Sequence, residues 1–223
     1  MLVHGGHTSA RKFFTPANAA SYDAVVSITT FGRDAAWKRE ILKAVTGHGP
    51  VLDLACGTGI LTSLLGETGR PVAGLDLTHD YLSIAKNKIG PLSAQGTAEV
   101  LPYKSRIFDA VVSSYLAKYV DVSLVVGECW RVLKPDGIAV MHDFTCPVGA
   151  MRGVWDAYFM VLRLAGTMFA KPWKPVFDDL GGVICRSHWA DGAARAMQKC
   201  GFQGITHKSL TLGTAAIVAG RKP

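Results

Sequence analysis

A chain of 223 residues, 49% of them hydrophobic, can bury a substantial core and needs no second domain to do so. Its 24 basic against 17 acidic residues give a net charge of +7 with no run of five or more cations, so charge alone selects neither nucleic acid nor anionic lipid. The longest apolar stretches break before the roughly 20 residues a membrane span needs, and MLVHGGHTSARKFF lacks the basic-then-apolar order of a secretory signal.

PVLDLA (50–55) reads as the first strand, with ILTSLLGE (60–67) as the helix that follows it. RPVAGLD (70–76) and HDYLSIAKNKI (79–89) repeat that order. FDAVVSS (108–114) is a third strand, followed by a helix over SLVVGECWRVL (123–133). In that helix Leu124, Val125, Cys129 and Val132 recur at three- and four-residue steps, the spacing of a buried face. KPDG (134–137) supplies a proline stop and a turn glycine before a further strand, GIAVMHD (137–143). Strands alternating with helices imply crossovers and a parallel sheet buried on both faces, in one α/β domain spanning 1–223.

The first strand ends in VLDLACGTG (51–59). A phosphate-binding Walker loop would need a lysine that is missing here, and a dinucleotide fingerprint would need a third glycine where Thr62 stands. What remains is a carboxylate, Asp53, then Gly57, Thr58 and Gly59 opening a helix, with Asp76 closing the next strand. Ligands of open parallel sheets bind at the carboxyl ends of the strands, and glycine lets the backbone approach without a Cβ in the way. Asp76 is placed to accept from two ribose hydroxyls, so the ligand is a nucleoside with no phosphate requirement. S-adenosylmethionine fits. The bland alternative is an ordinary strand-to-helix turn.

These residues resemble a class I S-adenosylmethionine-dependent methyltransferase. More closely, residues 20–222 resemble the ubiquinone/menaquinone biosynthesis C-methyltransferase family. The stretches that carry the likeness are YDAVVSITTFGRDAAWKR (22–39), VLDLACGTG, AEVLPY (98–103), FDAVVSSYLAKYV (108–120), RVLKPDG (131–137), DFTCP (143–147), CGF (200–202) and LTLGTAAIVAGRK (210–222). The resemblance implies a Rossmann-like seven-stranded sheet, mostly parallel with an antiparallel last strand, and helices on both faces. It implies S-adenosylmethionine as cofactor, contacted by Thr58, Asp76, Thr97, Ala98 and Ser114, with Asp53, Gly57 and Gly59 shaping the loop. Tyr22 either closes over the cofactor or simply packs. Thr97 stands where the family has Asp or Asn, and Cys56 replaces a usual glycine. Near the acceptor, Val25-Val26, Asp34, Lys118, His142 and Asp143 depart from the family pattern.

Methyl transfer needs donor and acceptor held about 3–3.5 Å apart with water excluded. A quinol carbon becomes nucleophilic as a neighbouring phenol loses its proton, which a base or a fixed cation assists. His142 is the candidate base and Lys118 the candidate cation; the competing readings are a hydrogen-bonded strand-end histidine and a solvated lysine. Residues 1–21 read as a tail or lid that includes His4 and His7, and 148–190 as an insert covering the acceptor. Its Trp, Phe, Met and Leu, interspersed with Arg152, Arg163, Lys171 and Lys174, suit a core helix, a lipophilic pocket or a peripheral stay at an anionic membrane. His188, in CRSHW, lies near the same side.

The five cysteines (56, 129, 146, 185 and 200) are scattered without a CxxC pair, which argues against disulfides or zinc and fits a reducing, cytoplasmic setting. Cys56 reads as a space-filler. Cys146 within TCP suits the nucleophile of cytosine-5 RNA methyltransferases, but their further motifs are missing. The expected activity is therefore methylation of a small or lipophilic acceptor, first a quinol or isoprenoid-linked aromatic at carbon. The alternatives are nitrogen or oxygen methylation, as of a phospholipid head group, and a non-catalytic cofactor-binding assembly subunit. No nucleic-acid or metal partner is expected, and a homodimer is compatible with the chain.

Overall fold

The computed structural model describes residue 10, residues 12–89 and residues 93–223. His4 and His7, with most of the predicted tail, lie outside the described residues. Helices α1 (Pro16–Ala19), α2 (Tyr22–Thr29) and α3 (Arg33–Ala44) lead into β1 (Val51–Leu54), α4 (Ile60–Gly66), β2 (Val72–Asp76), α5 (His79–Ile89) and β3 (Ser93–Gln95). Then come β4 (Phe108–Ser114), α6 (Val122–Val132), β5 (Leu133–Phe144), α7 (Ala150–Met168), α8 (Lys174–Ser187), α9 (Trp189–Cys200), β6 (Gln203–Leu210) and β7 (Ala215–Arg221).

The strands form one seven-stranded sheet in the order β3-β2-β1-β4-β5-β7-β6. All pairings from β3 to β5 are parallel, and β7 runs antiparallel to both β5 and β6. This is the Rossmann-like arrangement that the resemblance implies.

The central strands read as unbroken apolar runs because both faces of the sheet are covered. Leu52, Val111, Ala139 and Met141 pack on the side of α6 and α9, while Val51, Ala110, Val112 and Val140 pack on the side of α3 and α4. Alternate residues thus enter opposite cores, as a period of two requires.

Two details of the sequence reading are corrected. Leu124 is 51% exposed; the buried face of α6 is Val125, Val126, Cys129 and Val132, one helical step round. Asp121 caps that helix, its carboxylate accepting from the Ser123 and Leu124 N–H groups. The helix does end before KPDG, at Val132, but the strand begins at Leu133 rather than at 137, and KPDG bulges out of it. The register jumps from Phe108↔Leu133 to Ala110↔Ile138, and Asp136 takes φ 63° within the bulge.

The expectation of unpaired cysteines also fails. Cys146 and Cys185 form a disulfide, joining the segment after β5 to α8 across a sequence separation of 39. Scattered spacing gave no sign of it, since the partners are brought together by the α7–α8 hairpin. A sulfur held in that bond is no nucleophile, so the RNA methyltransferase reading of Cys146 is set aside. Closing a loop of this length is worth about 2–4 kcal/mol. The Cys146→Ser/Cys185→Ser protein should therefore unfold at lower urea than the oxidised wild type, and reductant should bring the wild type to the same midpoint.

Candidate active site

The turn after β1 is built by backbone that favours glycine. Gly57 has φ 56° and Gly59 φ 83°, and the Gly59 N–H closes the turn on the Cys56 carbonyl at 2.8 Å. The Gly57 N–H donates to Asp76 Oδ2 at 2.8 Å, fixing the loop to the end of the neighbouring strand. Thr78 donates to Asp76 Oδ1 through its N–H at 2.9 Å and its hydroxyl at 2.7 Å. Asp76 sits at the edge of a cavity of about 90 Å³, whose walls also include Gly57, Thr97, Ala98, Ser114 and Tyr81.

The other loop residues lie beneath that surface. Thr58 is buried and its hydroxyl donates to Asp23 of α2, which also pairs with Lys88 at 2.7 Å. Asp53 is buried in β1, accepting from the Thr62 hydroxyl at 2.6 Å. Burial lifts its carboxyl to about 7, against the Thr62 hydrogen bond. Cys56 is buried, and burial pushes its thiol up, as a space-filler's would be.

A second, larger cavity of about 520 Å³ adjoins the first, with Phe14, Tyr22, Tyr115 and Tyr119 lining both. Its walls are mostly aromatic and aliphatic: Trp37, Phe144, Trp155, Phe159, Trp173 and Phe177 among them. Two buried ion pairs stand beside it. Lys118 lines the cavity and pairs with Asp143 at 2.7 Å, also donating to the Tyr115 carbonyl at 3.0 Å. Lys38 pairs with Asp34, whose carboxylate accepts from the Tyr115 hydroxyl at 2.7 Å. The two ammonium groups lie 5.2 and 5.4 Å from the Tyr115 ring centre, within cation–π range.

Burial raises the phenols of Tyr22, Tyr115 and Tyr119 well above their ordinary range, so all three remain protonated. His142 is 0% exposed and belongs to the walls of neither cavity. Its Nδ1 lies 3.0 Å from the Ser114 hydroxyl, while Nε2 has no hydrogen-bond partner. Burial, reinforced by the charges of Lys38 and Lys118, pushes it far below the usual histidine range and keeps it neutral. A general base must come within hydrogen-bond reach of the proton it takes. This arrangement sets His142 behind Ser114 and Tyr115 instead. His188, exposed between α8 and α9, lines neither cavity.

The stretch YDAVVSITTFGRDAAWKR carried the resemblance but not what its last residues do: the Trp37 N–H donates to the Thr211 hydroxyl at 2.9 Å, and Lys38 makes the buried pair. Tyr81, Tyr115 and Tyr119 gave no local signal, because their roles come from α5 and the β4–α6 segment converging.

A sheet in this strand order, with a glycine turn tied to an acidic strand end, defines a Rossmann-like methyltransferase. A S-adenosylmethionine-dependent methyltransferase from Thermotoga maritima, a possible histamine N-methyltransferase, shares the fold with a TM-score of 0.66 over 93% of this chain and 98% of that one, at 17% identity. The ubiE/COQ5 methyltransferase family profile matches residues 7–222, and the chain belongs to that family. It is 31% identical to the demethylmenaquinone methyltransferase of Tropheryma whipplei (strain Twist), over 97% of this chain and 93% of that protein. It is 30% identical to the corresponding enzyme of Bacillus cereus (strain AH187), over 91% of each. The protein is an S-adenosylmethionine-dependent methyltransferase, which removes the non-catalytic subunit from consideration.

Asp53 carries a prediction of stability against pH. Its folded value of about 7 lies above the ordinary 3.8, so between the two the folded state holds a proton that the unfolded state has lost. Stability from this group therefore falls as pH rises through that window, by up to about 1.4 kcal/mol per pH unit. Asp53→Asn should lack this slope. Urea unfolding across the window should show the variant gaining on the wild type as pH rises.

Proposed function

We propose that the protein methylates a ring carbon of a quinol or similar isoprenoid-linked aromatic. The observation that carries this reading is the second cavity: large, apolar, sharing four wall residues with the Asp76 cavity and lined by the buried Lys118. The likeness to demethylmenaquinone methyltransferases supports the same substrate class.

The smaller cavity suits the cofactor. Asp76 Oδ2 accepts one protein hydrogen bond, which leaves lone-pair capacity for ribose hydroxyls. Gly57, Thr97, Ala98 and Ser114 offer close backbone or small polar contacts around the remaining nucleoside. The bound cofactor supplies an electrophilic methyl group on a sulfonium. Asp53 and Thr58 act from beneath, holding the loop rather than touching the ligand.

On the acceptor side, Lys118 uses two of its three N–H donors on Asp143 and Tyr115, leaving the third for an acceptor phenolate. Burial lowers the ammonium and raises the Asp143 carboxyl, against the attraction between the two. His142 positions the Ser114 hydroxyl at the cofactor wall. Tyr22, between the cavities, helps keep water out.

Mass spectrometry after incubation with methyl-labelled cofactor and a short-tailed demethylmenaquinol, in its reduced form, tests the reading. Label on the ring carbon is expected; label on a phospholipid nitrogen and none on the quinol overturns it. For the cofactor, Asp76→Ala should weaken binding in calorimetry by roughly 10- to 100-fold, the worth of charge-assisted hydrogen bonds. Asp76→Asn, which keeps an acceptor oxygen, should lose less. Unchanged affinity in both would remove Asp76 from the site.

Lys118→Met should lower kcat about 10²–10³-fold while cofactor affinity stays near wild type. The variant also leaves Asp143 buried without its partner, so Lys118→Met/Asp143→Asn serves as the neutral control. Wild-type turnover in that double variant would exclude the pair from acceptor activation.

A further inference from the structure

Helix α7 is apolar on two sides. Trp155, Phe159 and Leu162 face the acceptor cavity. Val154, Ala157, Val161, Leu164 and Met168 recur at three- and four-residue steps on the outside, where all five are exposed. Between the faces runs a narrow polar stripe of Arg152, Asp156, Arg163 and Thr167. A helix covering an ordinary water-facing surface has no use for the outer set.

The outer set continues onto the rim of the cavity. Phe31 and Val154 line the cavity yet are 81% and 59% exposed. Phe31 is held outward at φ 51°, an uncommon conformation for a bulky residue, and its ring lies 5.9 Å from Tyr158 of α7. Across the rim, Thr211 lines the cavity and its neighbour Leu212, at φ 57°, is 75% exposed. Three separate segments thus present large apolar side chains to solvent around one opening. Arg33, Arg163 and Lys171 are in no ion pair among the described residues.

We propose that the outer face of α7, with Phe31 and Leu212, docks on an anionic lipid surface, so that the acceptor passes from lipid into the cavity without crossing water. The proposal rests on the lipophilic acceptor argued above. A protein or a second copy covering this face would also close the opening, and the face offers apolar side chains together with cations in no ion pair among the described residues. Lipid satisfies both: it buries the apolar set, attracts the unpaired cations and delivers the substrate. No helix among the described residues is long and apolar enough to cross a membrane, so the contact is a surface one.

Sedimentation with mixed phosphatidylglycerol–phosphatidylcholine vesicles tests this on the full chain. Val161→Asp/Leu164→Asp should weaken binding by about tenfold or more. Both side chains line neither cavity, so turnover of a short-tailed quinol in solution should stay at the wild-type level, and their exposure keeps the fold intact. Arg163→Glu should weaken binding to the anionic vesicles and not to pure phosphatidylcholine. Wild-type binding by the double variant, or no binding by the wild type, overturns the proposal. So does a wild-type dimer that the double variant breaks without either protein binding vesicles, which would give the face to a second copy. Vesicle binding without quinol methylation would defeat the acceptor reading alone; methylation without vesicle binding would defeat the docking surface alone.

Discussion

The hydrogen bond from the Gly57 N–H to Asp76 is the contact on which the cofactor side depends. It ties the turn after β1 to the end of β2, so two strands present one continuous surface. Neither partner can be moved without the other: the loop needs left-handed backbone at Gly57, and the nearly buried carboxylate needs donors in place of the water it has lost. Thr78 supplies two such donors from the turn into α5, and Thr58 anchors the loop to α2 through Asp23. The Asp76 end of the cavity is thereby fixed to the main chain of the turn, while Phe14, Tyr22, Tyr81, Tyr115 and Tyr119 add aromatic wall, which suits recognition of a nucleoside by shape and a few fixed acceptors.

The acceptor side is organised differently. Charged side chains are enclosed by aromatic rings, and each ion is compensated by a partner: Lys118 by Asp143, and Lys38 by Asp34 with the Tyr115 hydroxyl. Buried pairs of this kind rarely add net stability, because desolvation offsets the attraction. Their retention beside a large apolar cavity therefore points to chemistry or to fixing the Tyr115 ring between the cavities. His142 fits the same logic. With cations at Lys38 and Lys118 close by, a third positive charge would be unfavourable, and the ring stays neutral.

The legible part of the chain was the part governed by local periodicity. Apolar runs such as FDAVVSS located strands, and the Gly57–Gly59 turn with Asp76 located one end of the sheet. The bulge at KPDG was missed because a proline and a turn glycine that end a helix give no sign that the next strand has already begun. Leu124 was misplaced because three- and four-residue spacing tolerates a face shifted by one position. The Cys146–Cys185 bond was invisible for a different reason: it arises where α7 and α8 fold back over the ends of the strands, and residues distant in sequence meet there with no pattern announcing it. The composition of the insert did allow a lipophilic pocket, but not which of its side chains would line one.

On the proposed function, the insert lets one chain serve a dry reaction and a lipophilic acceptor. Water must be excluded while the methyl group moves, so the cavity wants a closed aromatic wall; an acceptor with an isoprenoid tail wants an open apolar path. Helix α7 divides these demands between its faces. Its inner side packs tightly, with Phe159 against Gly181 of α8, where an added Cβ would lie 3.1 Å from the ring. Its outer side remains apolar where a water-facing helix would be charged. The disulfide from Cys146 to Cys185 then restrains α8 near the ends of the strands, which holds the inner wall in place whatever the outer face meets.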